Sequence, residues 1–164
     1  MPVTSAGLLF HRRTDGRLAV LLAHMGGPFW ARREVGAWTI LKGEVGADED
    51  AHTAAVREAA EELGVPLPTE TVPDLDLGEV RQRSGKRVRA WARRWPPPGP
   101  DPEAVRSNTV RIEWPPRSGR HVEVPEIDRV AWFSPDEARR VVVRGQADLV
   151  DRLERALDDP DVAT

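Results

Sequence analysis

Cysteine and tyrosine are absent from this 164-residue chain, and lysine occurs only at Lys42 and Lys86. Without cysteine there is no disulfide framework and no thiolate chemistry, so a bound metal must rely on carboxylates, imidazoles or carbonyls. No apolar run approaches the ~20 residues that a membrane-crossing helix needs, so no membrane partner is expected. Pro2 to Gly7 carries no basic segment ahead of Leu8-Leu9-Phe10, and a cytoplasmic protein without a secretory leader is therefore expected. Charge of one sign is also scarce. A net charge of −3 lacks the basic surplus that long polynucleotides attract, and long nucleic acids are not expected as partners. What remains is a globular balance, 40% hydrophobic and 31% charged, at a length that suits one domain spanning residues 1–164.

Along the chain, Ser5 to Phe10 and Leu18 to His24 are β-prone runs joined by Thr14-Asp15-Gly16, which predicts an opening hairpin. Ala37 to Leu41 reads as a short strand running directly into Lys42-Gly43-Glu44. Asp50 is a good N-cap, and helix formers follow from Ala51 to Leu63 until Gly64 and Pro66 stop them. Within that helix, Val56, Ala60 and Leu63 suggest an apolar stripe, with Glu58, Glu61 and Glu62 on a different face. Leu77 to Gln82, Arg87 to Trp91, Thr109 to Trp114 and Arg129 to Phe133 are further strand candidates. Pro96 to Pro102 reads as a surface loop, because its prolines block both helix and ladder. Ser134-Pro135-Asp136-Glu137 opens a helix, and Leu149, Leu153 and Leu157 mark another, giving C-terminal helices over about residues 134–158.

Glu58, Glu61 and Glu62 repel one another in an isolated helix by about 0.2–0.5 kcal/mol per pair, a sign that a bound cation reverses. Mg²⁺ is a hard ion that takes such oxygen ligands while sharing phosphate oxygens with a substrate. For an isolated Glu-x-x-Glu-Glu, an ordinary solvated face is the plain alternative. The context overturns it. From Gly43 to Val65 the sequence GEVGADEDAHTAAVREAAEELGV resembles the Nudix box, G-x5-E-x7-R-E-U-x-E-E-x-G-U with U aliphatic. Gly43, Glu49, Arg57, Glu58, Glu61, Glu62, Gly64 and Val65 match in register, while Ala59 stands where a larger aliphatic is typical and Leu41 stands where many members have proline.

The resemblance implies a Nudix α/β/α sandwich built on a mixed sheet, and Mg²⁺-dependent cleavage of a diphosphate linkage, with Mn²⁺ as a substitute. It implies Glu58, Glu61 and Glu62 as metal ligands, the Gly43 carbonyl as a further donor, and Arg57 and Glu49 as the pair that orients the carboxylates. Lys42 is either a phosphate contact or a solvated loop lysine. Glu126, ahead of Trp132, resembles the loop glutamate of dinucleoside tetraphosphate hydrolases. As a base it needs the segment Val124 to Asp128 to fold over the metal; otherwise it is an exposed loop residue.

Phe29 and Trp30 follow Gly26-Gly27-Pro28 and either stack on a nucleobase or anchor the loop. Arg81, Lys86 and the arginines up to Arg94 form a basic stretch that is either a polyphosphate surface or a solvated hairpin. The stretches GGPFWARREVGAWTILKGE and SNTVRIEWPPRSGRHVEVPEIDRVAWF resemble a bacterial branch of Nudix pyrophosphohydrolases, so the likeness covers most of the chain. A nucleoside polyphosphate is the favoured substrate class, handled by a monomer or homodimer. The rivals are hydrolysis of ADP-ribose or another nucleoside diphosphate derivative, and a nucleotide-sensing module without turnover.

Overall fold

The computed structural model describes residues 4–161; Met1–Val3, which belong to the leader reading, and 162–164 lie outside the described residues. Strands β1 (Thr4–Thr14) and β2 (Arg17–Met25) form the expected hairpin. Its two turn residues, Asp15 at φ 54° and Gly16 at φ 76°, are both left-handed, the conformation that matches the twist of the flanking strands. Ala6–Phe10 and Val20–Ala23 are buried throughout. Such unbroken apolar runs belong to a sheet covered on both faces. Leu8, Phe10 and Leu21 pack toward helix α1 (Ala51–Leu63), whereas Leu9, Val20 and Leu22 pack toward α2 (Pro135–Val141) and α3 (Ala147–Asp158).

The sheet is mixed and seven-stranded, and it completes the expected α/β/α sandwich. Beyond the hairpin it contains β3 (Trp38–Thr39), β4 (Leu41–Glu44), β5 (Leu75–Arg81), β6 (Arg87–Arg94) and β9 (Ile127–Phe133). The order is β3-β2-β1-β6-β5, with β4 on β1 and β9 on β2, and the β1–β6 pairing is parallel. Outside this sheet, β7 (Thr109–Glu113) and β8 (His121–Pro125) pair with each other as a two-stranded hairpin.

Three expectations are corrected. The single strand over 37–41 is two short ones, because the chain leaves β2 after Thr39 and joins β1 from Leu41. At the crossover the Ile40 N–H, without a strand partner, donates to the fully buried Gln146 Oε1 at 2.9 Å. β8 lies where no strand was expected. On α1 the buried face is Ala54, Ala55, Ala59, Glu62 and Leu63, with Val56 and Ala60 only half-buried. Ala55, Ala59 and Glu62 stand at i, i+4 and i+7, so the packing side of the helix carries a carboxylate.

The ends of α1 follow the local rules. Asp50 accepts from the Thr53 N–H at 3.1 Å, and Gly64 takes φ 65° while donating to the Ala60 carbonyl at 2.8 Å. A Cβ on Gly64 would lie 2.1 Å from the Arg106 carbonyl oxygen, so the glycine also makes room for a neighbouring segment. Asp50→Ala is expected to cost about 1 kcal/mol through the lost cap. Gly64→Ala should exceed it, since the left-handed conformation alone costs roughly 1–2 kcal/mol before the clash. Denaturant unfolding of both variants checks the order.

His11 on β1 is buried, and burial together with the charges of Arg94 and Arg13 pushes its pKa down to about 4, against a weaker upward pull from Asp74. The folded protein thus holds the ring neutral while the unfolded chain protonates it near 6.5. Stability from this group is complete above that value, falls as pH drops from about 6.5 to about 4, and is gone below. Its full size is of the order of 3 kcal/mol. His11→Gln should flatten that part of a stability-versus-pH curve.

Candidate functional site

The strand-to-helix junction from β4 to α1 is built around Arg57. Its Nε and Nη2 donate to the two Glu49 oxygens at 2.7 and 2.8 Å, Nη1 lies 3.2 Å from both Glu61 oxygens and 3.0 Å from Glu58 Oε1, and Nη2 also donates to the Glu44 carbonyl at 3.2 Å. One planar guanidinium therefore ties three glutamates and the backbone of β4 together. Arg57 and the Gly46 N–H hold the Glu49 carboxyl down to about 2, so Glu49 stays ionised as a fixed anchor. The Glu49 bond, with Glu61 and Glu58 adding, raises Arg57 above its ordinary value.

Glycine at position 43 leaves the room that a neighbouring carboxylate takes. A Cβ there would fall 1.9 Å from Glu58 Oε2, so the Glu58 carboxylate occupies the space that any other residue would fill. Glu62, 7% exposed, accepts the Lys42 N–H at 3.3 Å. Burial pushes its carboxyl up to about 8, with Glu126 and Glu58 adding to the shift and Lys42 opposing it. The Lys42 ammonium is itself pushed down by burial and by Lys86, while Glu62, Glu126 and Glu58 pull it back up. Backbone and side chain of residues 42–43 are thus enclosed by carboxylates.

Glu126 comes to this cluster from the other end of the chain. It is the single residue between β8 and β9. Its carbonyl accepts the Gly26 N–H at 3.0 Å, and its own N–H donates to the Asn108 carbonyl at 2.9 Å. Burial, then the charges of Glu58 and Glu61, raise its pKa, with Lys42 and Lys86 opposing. The expected closing loop over Val124 to Asp128 is corrected: these are a strand end, one pinned residue and a strand start, and Glu126 stands in charge range of Glu58 and Glu61 without any closure.

The remaining candidates divide. Lys86 acts on Lys42 and belongs to the same surface. Phe29 and Trp30 stand in edge-to-face contact, centroids 4.7 Å apart, and both line a cavity whose wall also includes Glu126. Trp30 packs against the core as well, so anchoring and exposure to a ligand coexist. Arg81 is exposed at the end of β5, in register with Arg87, and is not among the largest charges acting on Lys42, Glu62 or Glu126. Much of the basic stretch is also matched by carboxylates. Arg87 faces Glu79 at 3.7 Å, Arg89 is paired with Asp76, and Arg93 holds Asp74 through bonds of 2.8 and 2.7 Å. It is an ion-pair lattice between β5 and β6 rather than an open polyphosphate surface.

Among the described residues, the group whose ligand atoms lie within 4.8 Å of one another is His52, Glu70 and Asp74. Arg93 already spans both Asp74 oxygens there, so a guanidinium takes the place of a cation. In the box, Glu61 and Glu58 share Arg57 Nη1. Sequence reasoning expected the strand over Thr109 to Trp114, whose Val110, Ile112 and Trp114 line the cavity with Phe29, but missed β8 and the hairpin the two form. The signal was present as the alternation of Val110, Ile112 and Trp114, answered by Val122 and Val124 across Ser118-Gly119.

Solved structures similar to this one include an Ap4A hydrolase binary complex from C. elegans, at 21% identity and TM-score 0.65, covering 94% of this chain and 97% of that one. The NUDIX domain of NrtR from Shewanella oneidensis, complexed with ADP ribose, aligns at 14% identity and TM-score 0.60, covering 96% and 89%. A MutT protein from Methanosarcina mazei Go1 aligns at 20% identity and TM-score 0.58, covering 96% and 97%. At these identities the likeness is one of fold. A search of curated proteins gave no match. The family model of the NUDIX domain matches residues 1–153, and the chain belongs to the NUDIX domain family.

Proposed function

We propose that this protein hydrolyses a diphosphate linkage in a nucleoside polyphosphate with Mg²⁺, or Mn²⁺ in its place, held by Glu58, Glu61 and Glu62. The observation that carries the reading is the burial of Glu62 beside Glu58 and Glu126, three carboxylates that Lys42 offsets only in part, an arrangement that costs the fold free energy unless a further cation joins it. The donor set is all carboxylate and carbonyl oxygen, which suits a hard divalent ion, and the cradle over Gly43 keeps the Glu58 oxygens against the backbone. Such an ion would neutralise phosphate charge and acidify a water held in line with the scissile bond. The Gly43 carbonyl is a further donor in this reading.

The protein's own groups supply the rest. Arg57 and Glu49 orient the carboxylates. Lys42 and Lys86, with Arg81 further out, meet phosphate oxygens, and Phe29 and Trp30 meet the base. Glu126 takes the proton of the attacking water, and a carboxyl raised by burial and by Glu58 is a stronger base than an ordinary glutamate. The water oxygen bonds to one phosphorus, the bridging P–O bond breaks, and two phosphate-terminated products leave. Ap4A, named with one of the similar structures, is a nucleoside polyphosphate and supports this substrate class, while ADP ribose, named with another, belongs to the rival nucleoside diphosphate derivatives. A nucleotide sensor without turnover gains nothing from clustered negative charge facing phosphates.

Glu61→Gln and Glu62→Gln are each expected to fold and to lower kcat ~10²-fold or more with ATP or a diadenosine polyphosphate. In the unaltered protein millimolar Mg²⁺ should raise Tm by linkage, and the variants should lose most of that rise. Normal turnover in both variants, or a Tm indifferent to Mg²⁺, counts against the metal assignment.

Glu126→Gln should depress kcat while Tm stays within the ~0.5 kcal/mol equivalent of a surface change. A kcat as high as that of the unaltered protein would return the base role to a box glutamate.

A further inference from the structure

Across from Phe29 and Trp30 the β7–β8 hairpin presents a second apolar wall. Val110 is opposite Val124 and Ile112 is opposite Val122, so strand alternation puts all four on one face of the ribbon. That face is not spent on a core. Val110 and Val122 remain 37% and 38% exposed, and Phe29 is 46% exposed. Between the walls lies a cavity of about 430 Å³, lined by Phe29, Trp30, Val110, Ile112 and Trp114, with Glu126 on its margin. Of the lining residues, Glu126 is the one on which the charges of Glu58 and Glu61 act, and it ties this margin of the cavity to the box.

Both walls are built to stay in place. A Cβ on Gly26 would lie 2.1 Å from the Pro125 carbonyl oxygen, and one on Gly27, at φ 95°, would lie 3.2 Å from Val124 Cγ2, so the root of the hairpin is seated on two glycines. Opposite, Arg33 donates to the Phe29 carbonyl at 3.0 Å while its guanidinium lies 4.2 Å over the Phe29 ring. The fully buried His24 in turn holds the Arg33 carbonyl at 2.7 Å and Asp128 at 3.0 Å. Among the described residues no arginine, lysine or histidine lines the cavity, and its charged groups are the carboxylates of Glu113 and Glu126. A phosphorylated or carboxylated head is repelled there, whereas a flat, uncharged ring bearing amino donors finds apolar faces and acceptors.

We infer that the β7–β8 hairpin is the second jaw of a nucleobase cleft: an uncharged aromatic base enters between Phe29–Trp30 and Val110–Ile112–Trp114, and its phosphate chain leads past Glu126 to the box. The direction of the chain rests on the hydrolase reading above; the base cleft does not.

Binding is read without turnover, by tryptophan fluorescence of the full chain in Mg²⁺ with adenosine, guanosine, cytidine and uridine 5′-monophosphates, and with ribose 5-phosphate as the base-less control. At least one monophosphate should quench, and ribose 5-phosphate should bind at least ~10-fold more weakly. Ile112→Asn should weaken the favoured monophosphate at least ~5-fold, and Val110→Ser, at a more exposed position, serves if the first variant does not fold. Ribose 5-phosphate binding as tightly as the monophosphates, no binding by any of them, or unaltered affinity in folded hairpin variants would overturn the cleft. Monophosphate binding that depends on Ile112 in a protein that releases no product from any nucleoside triphosphate, diadenosine polyphosphate or ADP-ribose supports the cleft and refutes the hydrolase reading. Equal hydrolysis of inorganic triphosphate and of nucleotides, indifferent to Ile112→Asn, does the reverse.

Discussion

Close contact between β4 and the carboxylate side of α1 is the constraint on which the rest of the site depends. Two glycines permit it. At Gly7 a Cβ would lie 2.5 Å from the Leu41 carbonyl oxygen, so β1 accepts β4 only because that position is bare. At Gly43 the missing Cβ is replaced by the Glu58 carboxylate. With both approaches satisfied, the Lys42 N–H reaches Glu62, and a helix face that otherwise buries three alanines and Leu63 places a carboxylate against the sheet. The arginine of the same helix then fastens Glu49, Glu61 and the Glu44 carbonyl around that contact.

Charge is handled differently inside and outside this junction. On the β5–β6 surface, Arg89 meets Asp76 and Arg93 meets Asp74 and Glu70, so each guanidinium there is matched by carboxylate. Around residues 42–43 the balance is uneven: Glu58, Glu62 and Glu126 act on one half-buried lysine, with Lys86 nearby. An uneven, desolvated cluster of this kind is unfavourable for folding alone, and such sites are where perturbed carboxyls coincide with chemistry. The ion-pair lattice is structural by the same criterion, since each carboxylate there has its guanidinium.

The aromatic loop and the β7–β8 hairpin depend on the sheet in a less obvious way. The register of β2 against β9 shifts between His24 and Met25, and beyond that irregularity Gly26 meets the Glu126 backbone. Bulges of this sort re-aim the chain at the rim of a sheet. The same few residues thereby carry Glu126 toward the box and hold the hairpin over Gly26–Gly27. A shift of one residue in this register would turn Glu126 to the other face of the chain and separate the two walls.

The sequence by itself determined those features whose causes lie within a few residues. The α1 caps at Asp50 and Gly64, the Asp15–Gly16 turn, the Ser134 cap and the spacing that groups Arg57 with Glu61 all follow from local hydrogen bonds and helical period. The two-sided burial of β1 and β2 was legible as well, in their unbroken apolar runs. Helical period names the residues that share a face but not the face that meets a sheet, so Glu62 read as lying apart from the packing stripe until packing chose Ala55, Ala59 and Glu62 together. The division of 37–41 into β3 and β4 required Gln146, over a hundred residues away, to satisfy Ile40. Glu126 and the Val110–Ile112 wall meet the box and Phe29 only through strand register, which no local window contains. Tertiary structure decided these because the free energy of burial is shared among distant segments, and only their joint packing selects which polar group each one must satisfy.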